Sequence, residues 1–387
     1  AELAGDRDAT LEFAIAAAGQ AQALRSHREA AQQFARALRY AEPLPDAERA
    51  ELFESWSYEC YLTNQMDDAI EGRRSALAIW QKVGNPIKEG ENHRWLSRVH
   101  WFAGHSDDAE TAAQAALAIL EPLRPGPQLA WAYSNLSQLR MLAYDDASAV
   151  AWGQRAIALA EQLDEREILV HALGNVGAAR ARMPATSDEG CMQLERSLQL
   201  ALEGGFADHA ARAWAMLAIA AIERLELTAS VRHLADGIAY TTEHDQDSMR
   251  DYLIAWRAAL NLYQGNWSQA EADCRTVLDK PQTTPLSRIV ALTALGRLRA
   301  RRGEPDAMGA LDEAHALALP TGEMQRLGPV HAARTEAAWL AGDDARFADA
   351  IVTLRPLVDR PLTAWLRGEI HWWLTVAGAG PLPGGPM

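Results

Sequence analysis

A beat of about forty residues runs through this chain and constrains its fold more than any other feature. Aligning one small or apolar position per unit gives Ala37, Ala76, Ala116, Ala156, Ser197, Gly237 and Val277, spaced by 39, 40, 40, 41, 40 and 40 residues. The series continues near Ala316 and Leu354. The turns keep the same phase. Asn64–Ala69, Gly104–Ala109 and Gly265–Ala270 each end one helix with Asn or Gly and open the next with a polar residue, and Gly303 and Gly342 continue the series. Prolines at 43, 45, 86, 122–127, 281 and 285 mark the linkers between units, where they stop one helix and free the chain to turn back. Alanine, the best helix former, supplies roughly a fifth of the chain. No β-branched alternating run bounded by hairpin turns is visible.

A single helical hairpin cannot bury both of its faces, so repeated hairpins stack into a superhelix with a groove. The expectation is an all-α superhelix of about nine hairpins over residues 1–379, with a lone capping helix from Leu362 to Ala379. Residues 380–387, rich in Gly and Pro, read as a disordered tail or linker. The chain starts at Ala1 without an initiator Met, which suits a fragment of something longer.

The charge balance narrows the partners. With 37 basic against 52 acidic side chains, the formal net charge is −15. Direct contact with nucleic acid or an anionic membrane needs clustered Lys and Arg, so both are disfavoured. Apolar stretches reach only about ten residues, half of a membrane span. Cys60, Cys191 and Cys274 are too few and too scattered for a disulfide framework or a zinc site, which fits a reducing cytoplasm.

Catalysis finds little support. No nucleophile elbow and no His-Glu-x-x-His helix occurs, and His93 and His100, seven residues apart, lack a ligand-like partner set. No metal or cofactor is expected. The acidic pairs Asp107–Asp108, Asp145–Asp146 and Asp343–Asp344 open second helices, where carboxylates satisfy free N–H groups. The basic run Arg297, Arg299, Arg301 and Arg302 reads as an ion-pair seam or a solvated face.

Tryptophan is over-used, with 13 Trp against 6 Phe. Its broad apolar face and single N–H donor suit half-wet binding surfaces. If the first helix of each hairpin lines the concave wall, one row of that wall holds Ser55, Trp95, Asn135, Asn175, Met216 and Trp256. Neighbouring rows bring Arg94 and Ser134, then Tyr58, Arg98 and Gln138, then Trp131, His171, Arg212 and Tyr252. Trp101 lies one turn beyond Arg98. Aromatic rings mixed with Arg, Asn, Gln and His compose a polar ligand site with stacking platforms. The competing reading is packing: Asn can bridge adjacent first helices, and Trp can fill gaps between repeats. Arg94 and Arg98 sit at i and i+4, repel each other, and call for an anionic or carbonyl partner.

The first helices carry a family resemblance. Residues 133–137 (Tyr-Ser-Asn-Leu-Ser), 175–177 (Asn-Val-Gly) and 294–296 (Ala-Leu-Gly) resemble the first helix of tetratricopeptide repeats, although the period exceeds that family's usual length of about 34. Residues 94–98, 285–289, 296–303 and 336–343 are similar to the repeat arm of LuxR-family, maltose-activator-like regulators with a signal-transduction ATPase. That resemblance implies a right-handed tetratricopeptide-like superhelix. It implies a sensor arm of a transcriptional regulator, holding a small-molecule inducer or a peptide in its groove. The arm would relay that state to ATPase and helix-turn-helix modules of the same full-length protein. The alternative is a scaffold for a protein or peptide partner with no small-molecule ligand. The chain itself contains no P-loop and no basic helix-turn-helix, as an excised arm would. Exposed end faces of such an array also favour homo-oligomers.

Overall fold

The structure, a computed structural model, describes residue 2 and residues 5–378. Nine helical hairpins follow one another: α1 (Arg7–Ala23) with α2 (His27–Leu38), α3 (Asp46–Leu62) with α4 (Met66–Val83), and α5 (Pro86–Phe102) with α6 (Ser106–Leu120). Next come α7 (Pro127–Leu142) with α8 (Asp146–Leu163), α9 (Arg166–Arg182) with α10 (Ser187–Gly204), and α11 (Ala207–Glu223) with α12 (Leu227–Glu243). The last three pairs are α13 (Asp247–Tyr263) with α14 (Trp267–Leu278), α15 (Pro285–Arg302) with α16 (Ala307–Ala318), and α17 (Met324–Leu340) with α18 (Asp344–Leu354). A single helix, α19 (Ala364–Val376), closes the array against α17. No strand occurs among the described residues. The tail expected at 380–387 lies outside them.

The turns behave as their residues dictate. Gly104, Gly265, Gly303 and Gly342 adopt positive φ at the hairpin corners, a conformation that costs an L-residue about 1–2 kcal/mol. Asn64, Tyr144 and Leu225 take the same left-handed corner without being glycine. Asp145 and Asp343 cap α8 and α18, accepting the backbone N–H groups of Ser148 and Arg346. The fifth hairpin lacks a glycine corner and turns instead through a short 3₁₀ segment, Pro184–Thr186. There α9 and α10 meet backbone to backbone: a Cβ on Gly190 would lie 2.3 Å from the Ala181 nitrogen.

The repeat positions are buried as the period requires. Ala37, Ala76, Ala116 and Ala156 are wholly buried, as are Val277 and Leu354. The eighth unit is the exception. Ala316 is exposed, and the buried alanines are Ala314 and Ala318. This second helix, α16, starts after Asp306, which itself has positive φ.

Curvature follows from which helices touch. Each first helix packs on the next first helix, from α5 through α7, α9, α11, α13, α15 and α17. The first helices therefore form the inner layer and the second helices the outer one. The coil is tight enough to meet itself. Five hairpins after α3, α13 returns against it: Ser248 Oγ donates to the Tyr61 carbonyl at 2.6 Å, and Asn64 Nδ2 to Asp251 at 3.0 Å. Arg28 pairs with Asp247. At the next level, Gln325 Nε2 donates to the Leu142 carbonyl at 3.0 Å and Trp101 Nε1 to Glu323. The groove is thereby converted into a lumen lined by first helices. No described helix is long and apolar enough to cross a membrane.

Candidate functional site

The inner faces of α3, α5, α7, α9 and α11 present polar side chains to one another rather than to bulk water. Arg98 is 3 % exposed and is the hub. Its Nη2 donates to Tyr61 Oη at 2.7 Å and to Asp208 at 3.0 Å, and its Nη1 to Gln138 Oε1 at 3.3 Å. His171 completes the cluster, with Nε2 3.0 Å from Gln138 Oε1 and Nδ1 2.7 Å from Ser134 Oγ. Asn175 Nδ2 donates to the Ser134 carbonyl at 2.8 Å, and Arg212 donates to Asn175 Oδ1. Asn135 Nδ2 donates to Ser97 Oγ at 2.8 Å. The two asparagines thus bridge neighbouring first helices, the packing role weighed for them, and so hold the network rigid.

The electrostatics follow from burial. Burial alone would push the Asp208 carboxyl up, but Arg98, His209 and Arg212 outweigh it and hold it below its ordinary range. Burial, then the repulsion of Arg212, His209 and Arg98, drives His171 well below its ordinary value, so it is neutral at pH 7. Arg212 is pushed down to about 9 by burial and by Arg98. Glu167 is held low by its hydrogen bond from His209, at 3.0 Å.

Beside this network is a cavity of about 210 Å³ lined by Tyr58, Arg94, Trp95, Arg98, Trp131, Glu167, Asp208 and His209. Trp131 stacks on His209 with ring centroids 5.7 Å apart and an interplanar angle of 25°. Arg94 lies between two indoles, its guanidinium carbon 4.1 Å from the Trp95 ring centroid and 5.0 Å from that of Trp131.

Ten of the thirteen expected site residues converge here: Arg94, Trp95, Arg98, Trp131, Ser134, Asn135, Gln138, His171, Asn175 and Arg212. The other three go elsewhere. Trp101 and Tyr252 line a narrower space of about 80 Å³ further along the lumen. Trp256 faces a third, mainly apolar cavity of about 230 Å³ near α19, with its Nε1 unpartnered. In that third cavity Arg297 is bound by Glu369 at 2.7 Å and Glu336 at 3.4 Å, as an ion-pair seam requires.

Residue-by-residue reading missed Tyr61, Glu167, Asp208 and His209. Asp208 and His209 stand in the first turn of α11, where an acid looks like a dipole partner. Their one sequence signal is Arg212, a turn later on the same helix. Only one group of described residues places metal-type ligand atoms together: His100, His105 and Asp108, with atoms within 4.8 Å of one another, at the corner of the third hairpin and away from the lumen network.

No protein-family profile matches the chain, and no curated protein sequence does. Solved structures do. A Rap protein in complex with competence and sporulation factor is 11% identical, with a TM-score of 0.60 over 86% of this chain and 94% of that one. Aspartyl phosphate phosphatase F from Bacillus subtilis is 12% identical, with a TM-score of 0.48 over 75% and 77%. A signal transduction ATPase (STAND) protein with a tetratricopeptide repeat sensor from Pyrococcus horikoshii is 13% identical, with a TM-score of 0.43 over 76% and 52%. Fold and inner-layer geometry together place the chain in the class of tetratricopeptide-like superhelical repeat proteins.

Proposed function

We propose that this chain is a recognition arm rather than an enzyme. It takes an inducer or a partner into its lumen and relays the occupied state to ATPase and helix-turn-helix modules outside this chain, as part of a cytoplasmic transcriptional regulator. One observation carries the reading. Four successive first helices, α5, α7, α9 and α11, spend buried positions on Arg, Asn, Gln, His and Ser in and beside a cavity, where a purely structural solenoid would place Leu and Ala. The resemblance of residues 94–98 and 296–303 to LuxR-type arms supplies the regulatory context. A Rap protein of similar fold is seen holding competence and sporulation factor, so an occupant suits this architecture.

Relay is a matter of curvature. An occupant touching α5, α7, α9 and α11 together favours the coil geometry that closes on it, and the population shifts by the difference in affinity between geometries. The test is a thermal-shift and Trp-fluorescence screen of sugars, nucleotides, metabolites and peptides on this chain. Saturable quenching with a raised Tm, lost in Trp131→Ala, is the expected result. If a folded protein partner is retained and no small molecule shifts the Tm, the scaffold alternative replaces the sensor.

A further inference from the structure

Six arginines are almost fully buried among the described residues: Arg73, Arg94, Arg98, Arg212, Arg297 and Arg326. Five of them donate hydrogen bonds within the chain. Arg94 alone donates none, although it is only 7 % exposed and its Nε is sealed from solvent; Arg73 and Arg212, which like it have no carboxylate within ion-pair distance, each reach an asparagine oxygen instead. The compensation of Arg94 is the pair of indole faces. A cation over an indole recovers about 2 kcal/mol when desolvated, less than an unpaired buried charge costs.

Around the cavity, Asp208 is matched by Arg98 at 3.0 Å and Glu167 is bonded to His209 at 3.0 Å, so both carboxylates already have partners. The guanidinium of Arg94 has none. We infer that Arg94 is the anchor for a carboxylate, whose attached apolar body lies against Trp131 in the same cavity. This rests on the lumen being a recognition site and names the chemistry it selects.

Three features favour a monoanionic carboxylate. The guanidinium fork matches a carboxylate in a planar, two-bond geometry. A doubly charged phosphate would set a second negative charge beside Asp208 and Glu167, which repel it. The cavity of about 210 Å³ equals about seven waters at roughly 30 Å³ each, room for a group of side-chain size. The same chemistry is offered by a free small acid and by the C-terminus of a peptide. Burial, with repulsion from Arg73 and Arg98 and only partial relief from the more distant Glu91 and Glu167, pushes the Arg94 guanidinium down to about 9, a penalty that an incoming anion relieves.

The test compares acids with their neutral amides. Phenylacetate and phenylacetamide represent the free acid. N-acetyl-Ala-Ala-Phe with a free or an amidated C-terminus represents the peptide. Each is titrated by thermal shift into the wild-type chain, Arg94→Met and Arg94→Lys, with Arg94→Gln as the reserve should Met not fold. The free acids are expected to raise the Tm saturably and to bind at least ~10-fold tighter than the amides, a margin of about 1.4 kcal/mol. Arg94→Met is expected to erase that margin, and its unliganded Tm should rise by about 2–4 °C, because an uncompensated charge is gone. Whichever acid shows the larger margin identifies the source. Equal binding of acids and amides overturns the carboxylate anchor while leaving the lumen as a recognition site. Acid binding that survives in Arg94→Met, with a lowered Tm, also overturns it and makes Arg94 a packing residue. If no probe binds and the broad screen is silent too, both readings fall.

Discussion

The two ends of the lumen are built on the same hairpin and differ in how they treat charge. Around α5 to α11 the inner wall is polar, and the Arg94 guanidinium finds no hydrogen-bond acceptor in it. Around α13 to α19 the wall is mainly apolar, and Arg297 is met by both Glu336 and Glu369. Arg94 and Arg297 are about equally buried, 7 % and 5 % exposed. Burial therefore does not separate a structural arginine from one kept for a ligand; the presence of an internal hydrogen-bond acceptor does. A scaffold residue satisfies itself, whereas a recognition residue is left in debt until something arrives.

The largest effects should come from breaking satisfied pairs. Arg98→Met strands Asp208 and should cost about 3–5 kcal/mol, read as a lower urea midpoint. Arg297→Met strands Glu369, while Glu336 keeps Arg301 at 2.6 Å, and should cost a similar amount, in contrast to the stabilisation expected of Arg94→Met. If Arg297→Met were also stabilising, the distinction between the two ends would collapse. Next comes acid. His331 in α17 is held down to about 4 by burial and by the nearby His315 and Arg334. A histidine whose folded value lies below the ordinary 6.5 contributes in full above pH 6.5 and loses that contribution as pH falls toward 4. Thermal melts between those limits should show a falling Tm, and His331→Gln should flatten the part owed to the C-terminal end. His171, also driven low, should account for a share of the remaining slope at the other end.

A smaller effect tests the closure between turns. Asp251→Ala removes the acceptor of Asn64 and the partner of Lys280. The expected outcome is a larger radius of gyration by small-angle scattering with helix content unchanged. Smallest of all, Gly104→Ala forces a Cβ onto a φ of +81° and should cost about 1–2 kcal/mol, less at the already non-glycine corners.

The fold was legible because its determinants are local. Corners, prolines and small residues recur within each hairpin, so phase can be read without knowing what packs on what. At Ala316 the phase slips by two residues, to the buried Ala314 and Ala318 on either side, without leaving a mark in composition. The site was half legible. Rows of first-helix residues share a wall by geometry alone, which is why Arg98, Gln138, His171 and Asn175 could be grouped. The partners that set the charge could not. Asp208 meets Arg98 across 110 residues and Tyr61 across 147, distances decided by how sharply the coil closes. That same closure divides the rows among three cavities, which sent Trp101, Tyr252 and Trp256 away from the rest. Similarly, much of the Trp excess serves packing, as with Trp80 in the second hairpin, or sits exposed at the C-terminal end, as with Trp372.

The seam where α13 meets α2 and α3 carries a serine, an asparagine, aspartates and an arginine. Most of these groups are buried and their bonds are directional, so the side of the lumen closes in one register, fixed by a handful of polar atoms rather than by the area in contact.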